Sequence, residues 1–345
     1  MKKLSSSLIG LAILVICGCA NTLQRDIEAT LFNPDHTGIR WGLVVADMSG
    51  EELIALKPDD RFTPASNTKV FTTMAAYHNL EALETLTRNP GTQVFVEQMQ
   101  DGTPPRLVLK GGGDATLEDS PNCEITCLAE LAEQVASWGL SEVSAVVGDD
   151  TLFPFERWGP GWSQEDLTFY YGTAISALSV NDNLVWVDVA PAKAAGDLAQ
   201  VSWQAGDDYY QLDNQLRTST AESDWAMRIE RLPGQRTVRF YGEIPAGAAQ
   251  RSYRLAIDNP ADYTAWRFKN LLETRGMAVG TVETQHRPLA LADEAPDPEE
   301  TVQIAVLASH AEMVAAAAIL PAGPLSESLK RVSKDSENLH ADITL

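Results

Sequence analysis

The stretch Thr63-Pro64-Ala65-Ser66-Asn67-Thr68-Lys69-Val70-Phe71 breaks at its proline and then runs into a helical pattern that reaches about Leu80. Apolar positions at Phe71, Met74 and Ala75, with His78 at the edge, follow the i, i+3, i+4, i+7 rule and predict a helix with one buried face. Ser66 then sits at or just before the first turn. Lys69 lies nearly one turn further on, so its amine can lean back along the same face toward the hydroxyl. A serine hydroxyl is a poor nucleophile at neutral pH and needs a base. A lysine serves only if desolvation or a neighbouring cation brings its pKa down from about 10.4. The unpaired backbone N–H of Ser66 at the helix start is placed to steady an oxyanion. Alone, Ser-x-x-Lys is a weak signal, because its commonest use is a capping serine and a solvated lysine.

The rest of the 345-residue chain changes the odds. Its length allows a sizeable core and two or three domains, and its hydrophobic content of 44% is that of a globular protein. A formal net charge of −22 argues against nucleic acid as a partner, since phosphate binding needs clustered Lys and Arg.

Lys2 and Lys3 precede an apolar run from Leu8 to Ile16 that is too short to span a membrane as a mature helix. With Ile16-Cys17-Gly18-Cys19 after it, the segment resembles a bacterial lipoprotein signal over residues 1–18, with Cys19 as the lipidated residue; an ordinary secretory signal cut nearby is the other reading. Ala20 after that cysteine points to the outer membrane. The expected location is the periplasm, with the membrane reached only through the N-terminal lipid. Cys123 and Cys127 then remain as an even pair in an oxidising compartment, where a disulfide at the start of a helix is the expected use; no histidine is near enough to favour a metal.

A short helix from Leu23 to Leu31 precedes a hairpin, with strands Trp41–Met48 and Leu53–Leu56 and a turn at Ser49-Gly50. After about Asn89 the chain becomes strand-rich. Arg106–Leu109 runs into Lys110-Gly111-Gly112-Gly113-Asp114, which reads as a tight bend and not a phosphate cradle. Leu128–Trp138 is an amphipathic helix, Val143–Val147 a strand, Leu184–Val189 another, and Ala261–Arg275 a helix ended by Gly276. Pro288–Glu300 reads as a linker, Thr301–Leu307 as a strand, Glu312–Leu320 as an alanine-rich helix and Pro324–Val332 as a second helix. Of two Ser-x-Asn triplets, Ser179-Val180-Asn181 heads into a strand and is taken as a decoy. Ser336-Glu337-Asn338 lies between two helical runs and is the preferred one.

Taken in order, these pieces resemble the D-alanyl-D-alanine carboxypeptidase/endopeptidase family of penicillin-binding proteins, of the low-molecular-mass type with a large insertion between the first and second motifs. The resemblance rests on Ser66-Asn67-Thr68-Lys69, Val108–Leu117, Val147-Gly148-Asp149-Asp150, Gly159-Pro160-Gly161-Trp162, Tyr171-Gly172 with Ile175–Ser179, Pro324–Glu327 and Lys334–Leu339. It implies an α/β, penicillin-binding transpeptidase-like (β-lactamase-like) domain made of residues 22–90 and 300–345. A mostly β insertion would occupy 91–299, with a nested part over 195–255.

The resemblance further implies a serine-type carboxypeptidase acting on peptidoglycan stem peptides, with β-lactams as covalent ligands and no metal or organic cofactor. Ser66 would be the acylated nucleophile and Lys69 its general base. Ser336 would relay a proton to the leaving amine, and Asn338 would hold the substrate amide. Asp149 and Phe153 would lie near the substrate side chain. The family's third motif, Lys-Thr-Gly, does not occur in this sequence; His36-Thr37-Gly38 is the nearest match and precedes the first strand. The expectation is therefore a member truncated at its C-terminus and short of one wall of its cleft, where losing a single oxyanion donor can cost about 100- to 1000-fold in rate. A non-catalytic lipoprotein that binds cell wall or a partner protein is the reading from another class. A β-lactamase or esterase of the same fold is disfavoured, because those lack so large an insertion.

Overall fold

The computed structural model describes residues 25–81, 83, 91–100, 102–204, 209–289 and 314–344. Cys19, the signal segment, the strand read at Thr301–Leu307 and all but the first two residues of the linker read at Pro288–Glu300 lie outside these. The chain divides into two compact units, Met1–Ala65 and Ser66–Leu345.

The first unit holds helix α1 over residues 25–31 and an antiparallel hairpin of β1 (Leu43–Ala46) and β2 (Glu52–Leu56), with a register shift between Val45 and Ala46. Its turn forms because the Asp47 carboxylate accepts from the amides of Ser49 at 2.8 Å and Glu51 at 3.0 Å, while Gly50 takes φ +89°.

The second unit begins with Ser66 and helix α2 (Thr68–Asn79). The helix forms where the spacing placed it, but none of its residues is buried; Phe71 is 71% and Met74 63% exposed. Its half-buried positions are Lys69, Thr72, Thr73 and Ala76, a face rotated away from the apolar one. Periodicity says which residues share a face and not which face finds a partner.

Further along run β3 (Thr92–Glu97), β4 (Arg106–Lys110), β5 (Leu117–Glu118), β6 (Thr126–Cys127), α3 (Leu128–Ala136) and β7 (Glu142–Pro154). After these come β8 (Leu184–Ala190), β9 (Gln200–Trp203), β10 (Gln211–Ser219), β11 (Ala226–Glu230), β12 (Thr237–Pro245) and β13 (Arg251–Ala256). The described chain closes with α4 (Pro260–Glu273), β14 (Ala278–Arg287), β15 (Val314–Leu320), α5 (Leu325–Lys334) and α6 (Asn338–Thr344).

Five strands make the main sheet in the order β14-β7-β4-β3-β15. Helix α4 packs on β7 and β14, α3 packs on β15, and the two helices touch each other. The buried stripe Leu128, Leu131, Ala132 and Val135 of α3 shares one core with Phe268 and Leu272 of α4 and with Val94, Leu107 and Val146 of the sheet. Two three-stranded sheets, β13-β8-β9 and β10-β12-β11, extend the same core through Val187, Val238 and Phe240.

Two expectations change here. The alanine-rich stretch read as a helix over Glu312–Leu320 contains strand β15, antiparallel to β3. Alanine favours helix by propensity, yet ladder pairing overrides it; Ala318 and Leu320 are 3% and 4% exposed while Ile319 between them is 44% exposed. That pairing also crosses the domain boundaries read at 91 and 299, because β15 completes a sheet whose other strands come from the segment assigned to the insertion. The pairing of β8 with β13 likewise makes the nested β part wider than 195–255.

The glycine run at 111–113 is a close-packed bend. A Cβ on Gly111 would lie 2.2 Å from the carbonyl oxygen of Ala177, and one on Gly112 2.2 Å from that of Gly91. Cys123 and Cys127 form a disulfide, and Cys127 is the N-cap of α3.

Candidate functional site

Ser66 lies in a single 3-10 turn, Ala65–Asn67, immediately before α2, and is solvent-exposed. Lys69 is in the first turn of α2, and its Nζ is 3.4 Å from Ser66 Oγ. From the far end of the sequence, the turn between α5 and α6 brings three more oxygens to the same amine. Lys69 Nζ donates to the main-chain oxygen of Ser336 at 2.8 Å, approaches Ser336 Oγ at 3.3 Å, and donates to Asn338 Oδ1. An ammonium has three protons and faces four acceptors here, so the two longer contacts, to the hydroxyls of Ser66 and Ser336, are the ones open to exchange.

The turn presents its groups this way because Ser336 has φ +59°, a left-handed conformation uncommon for a residue with a Cβ. The amides of Asp335 and Glu337 both bond the carbonyl of Arg331, at 3.0 and 3.4 Å, which ends α5. Asn338 opens α6 and uses both ends of its amide, with Nδ2 donating to the carbonyl of Tyr171 at 2.6 Å while Oδ1 accepts from Lys69. Glu337 is buried, and Arg254 reaches its carboxylate at 3.3 Å while lying 4.0 Å from the Tyr170 ring centroid.

Half-burial of Lys69 pushes its pKa below that of an ordinary lysine, against the pull of the Asp342 and Glu337 carboxylates. Burial likewise raises the pKa of Glu337, and loss of solvation raises that of the more exposed Asp342. A lysine that releases its proton more readily, beside two hydroxyls and an amide, can take a proton from one hydroxyl and return it through the other.

The structure thus brings Ser66, Lys69, Ser336 and Asn338 together, and does not bring Asp149 to them. Asp149 is buried in β7, where its carboxylate accepts from the Thr151 amide at 2.9 Å and its carbonyl from the Gly111 amide at 2.9 Å. Phe153 packs on the small cluster of Ala115, Leu339 and Ile343, two of which belong to α6. The first Ser-x-Asn triplet stays apart from the lysine. Ser179 is buried and donates to the Ser176 carbonyl at 2.9 Å, and Asn181 binds Asp119. Sequence reading missed the Tyr171 carbonyl, Arg254 and Asp342. A main-chain oxygen carries no sequence signal, and the other two are ordinary charged residues until folding places them.

Residues 23–345 match the model of the D-Ala-D-Ala carboxypeptidase 3 (S13) family. The chain is 34% identical over 267 residues to a D-alanyl-D-alanine carboxypeptidase of Actinomadura sp. (strain R39), covering 74% of this chain and 48% of that protein. It is 33% identical over 151 residues to carboxypeptidase DacB of Mycolicibacterium smegmatis, covering 42% of this chain and 31% of that one. Penicillin binding protein 4 of Haemophilus influenzae superposes with a TM-score of 0.61 at 19% identity, over 86% of this chain and 59% of that one. This likeness shows the penicillin-binding α/β fold. The chain spans about half the length of the first of these relatives.

Proposed function

Membership of the D-Ala-D-Ala carboxypeptidase 3 (S13) family, to which this chain belongs over residues 23–345, is the premise from which we propose a serine-type D-Ala-D-Ala carboxypeptidase acting on peptidoglycan stem peptides through an acyl-enzyme on Ser66. The observation that carries the proposal is the convergence of Ser66, Ser336 and Asn338 on one amine, that of Lys69.

In the proposed reaction the free amine of Lys69 takes the Ser66 proton as Oγ attacks the carbonyl carbon of the penultimate D-alanine. The C–N bond breaks, and the leaving amine of the terminal D-alanine receives its proton from the Ser336 hydroxyl, which is reprotonated from Lys69. Water then hydrolyses the ester, with the same groups moving the protons in reverse. The Asn338 side chain, oriented by Tyr171 and Lys69, holds the amide of the substrate. Cross-linked stem peptides would be opened by the same route, and a β-lactam would acylate Ser66 without a departing fragment.

The proposed location is the periplasm, with Cys19 carrying the lipid. The Cys123–Cys127 disulfide supports an oxidising compartment. Incorporation of labelled palmitate that Cys19→Ala abolishes tests the anchor.

Fluorescent penicillin tests the activity. Covalent label mapped to Ser66 by peptide mass spectrometry and lost in Ser66→Ala supports acylation. A folded protein that takes no label overturns it.

A further inference from the structure

Directly after the triplet set aside as a decoy, Asp182 bonds to both helices that flank the triplet at Lys69. Downstream of Ser179, the residues Asn181, Asp182 and Asn183 have φ of 53°, 54° and 55°, three consecutive left-handed positions without a glycine. The two asparagines fasten this turn to its surroundings. Asn181 Oδ1 accepts from the Asp119 amide at 3.0 Å, and Asn183 Nδ2 donates to the Ala174 carbonyl at 2.9 Å and to Ser179 Oγ at 3.0 Å. Asp182, between them, has different partners.

One oxygen of that carboxylate accepts two bonds. Arg331 of α5 donates to Asp182 Oδ1 at 2.9 Å, and His340 of α6 lies with Nε2 2.9 Å from the same atom. A carboxylate only accepts, so Nε2 carries the proton of this contact. His340 is fully buried, and its Nδ1 has no partner among the described residues, which leaves Asp182 as the polar group that fixes the ring. Arg331 also reaches Glu118 at 3.1 Å. The two helices tied to this single oxygen are those joined by the turn that carries Ser336 and Asn338. The Arg331 carbonyl itself anchors that turn through the amides of Asp335 and Glu337.

We infer that Asp182 is a positioning residue for the chemistry at Ser66: by clamping α5 through Arg331 and α6 through His340, it sets where Ser336 and Asn338 stand relative to Lys69. This rests on the acylation proposed above. Asp182 touches neither Lys69 nor Ser66, so it acts through the turn. Burial alone would raise the Asp182 pKa, but the bonds from His340 and Arg331 reverse this and hold it below the usual aspartate value, which keeps the Asp182 carboxylate ionised at neutral pH.

The test measures the acylation rate constant and the non-covalent dissociation constant for fluorescent penicillin on the full chain. Displacing a reacting group by about an ångström costs on the order of 100-fold, so Asp182→Ala is expected to slow acylation by about that factor. The dissociation constant is expected to rise by no more than about tenfold, far less than the rate falls, because Asp182 adds no contact of its own to the ligand and only the Asn338 contact is displaced. Asp182→Asn, which keeps an acceptor at the same place, is expected to recover about tenfold of the loss. A protein lacking the Cys123–Cys127 disulfide serves as the control for lowered stability and is expected to acylate at the parental rate.

Acylation of Asp182→Ala within about twofold of parent overturns the inference, as does an equal loss in the disulfide-free control. Should Asp182→Ala not fold, His340→Gln carries the test, with slowed acylation expected and the parental rate overturning. No label on the parent would overturn the Ser66 reading and this one with it. Label on the parent and an unaffected Asp182 variant would overturn this one alone.

Discussion

Lys69 Nζ lies 2.8 Å from the main-chain oxygen of Ser336, a residue 267 positions further along the chain. That contact makes a helix start and a distant turn into one site, because the same amine is then within 3.4 Å of both serine hydroxyls. In the proposed reaction the two hydroxyls thus exchange protons through one amine.

In the proposed reaction, removing the Lys69 amine takes away the base for the Ser66 hydroxyl. Lys69→Ala is expected to slow acylation by fluorescent penicillin by about 100- to 10,000-fold, the usual worth of a general base. Ser336→Ala is expected to spare binding and slow the proton return, which stopped-flow acylation and the recovery of free enzyme would separate. Parental rates in Lys69→Ala would eliminate the lysine as base.

Acylation should depend on pH in a stated direction. Half-burial holds the Lys69 pKa below the ordinary 10.5, so the free amine appears at lower pH than in a solvated lysine. The rate therefore rises with pH along a limb centred below 10.5. The charges of Asp342 and Glu337 pull the limb upward, so Asp342→Asn moves it to lower pH. Rate profiles of the two proteins check the sign; a limb displaced upward would contradict it.

The disulfide closes a loop with a sequence separation of 4. On the chain-entropy account a ring this small restrains the unfolded state by about 2 kcal/mol. Cys123→Ser with Cys127→Ser is expected to lower unfolding free energy in urea by about that amount while acylation is retained.

Gly111 is a packing position. Its Cβ in Gly111→Ala would meet the Ala177 carbonyl oxygen at 2.2 Å, so the main chain must move. A loss of about 1–3 kcal/mol is expected from such overpacking, measured by urea denaturation. An unchanged midpoint would mean that the bend yields freely.

Much of the site was legible because its parts are local. Ser66 and Lys69 share one turn by spacing, and Ser336-Glu337-Asn338 follows one helix and opens another. Local context favoured this triplet over Ser179-Val180-Asn181, which heads into a strand instead of lying between two helical runs. The α3 and α4 helices were equally plain, since their apolar stripes coincide with what they bury. The α2 helix was half legible: its existence followed from period, whereas its exposed Phe71 and Met74 depend on what folds against it.

The sequence by itself determined the family, the pairing of Ser66 with Lys69 on one turn, the paired cysteines and most of the helices, because each is written in spacings of a few residues or in an ordered set of motifs. Only the tertiary structure decided that an alanine-rich run forms strand β15, that the Asp149 carboxylate bonds the Thr151 amide of its own strand, and that Asp182 bonds both α5 and α6. These depend on partners that folding brings from far along the chain, with free energies that local propensity does not contain.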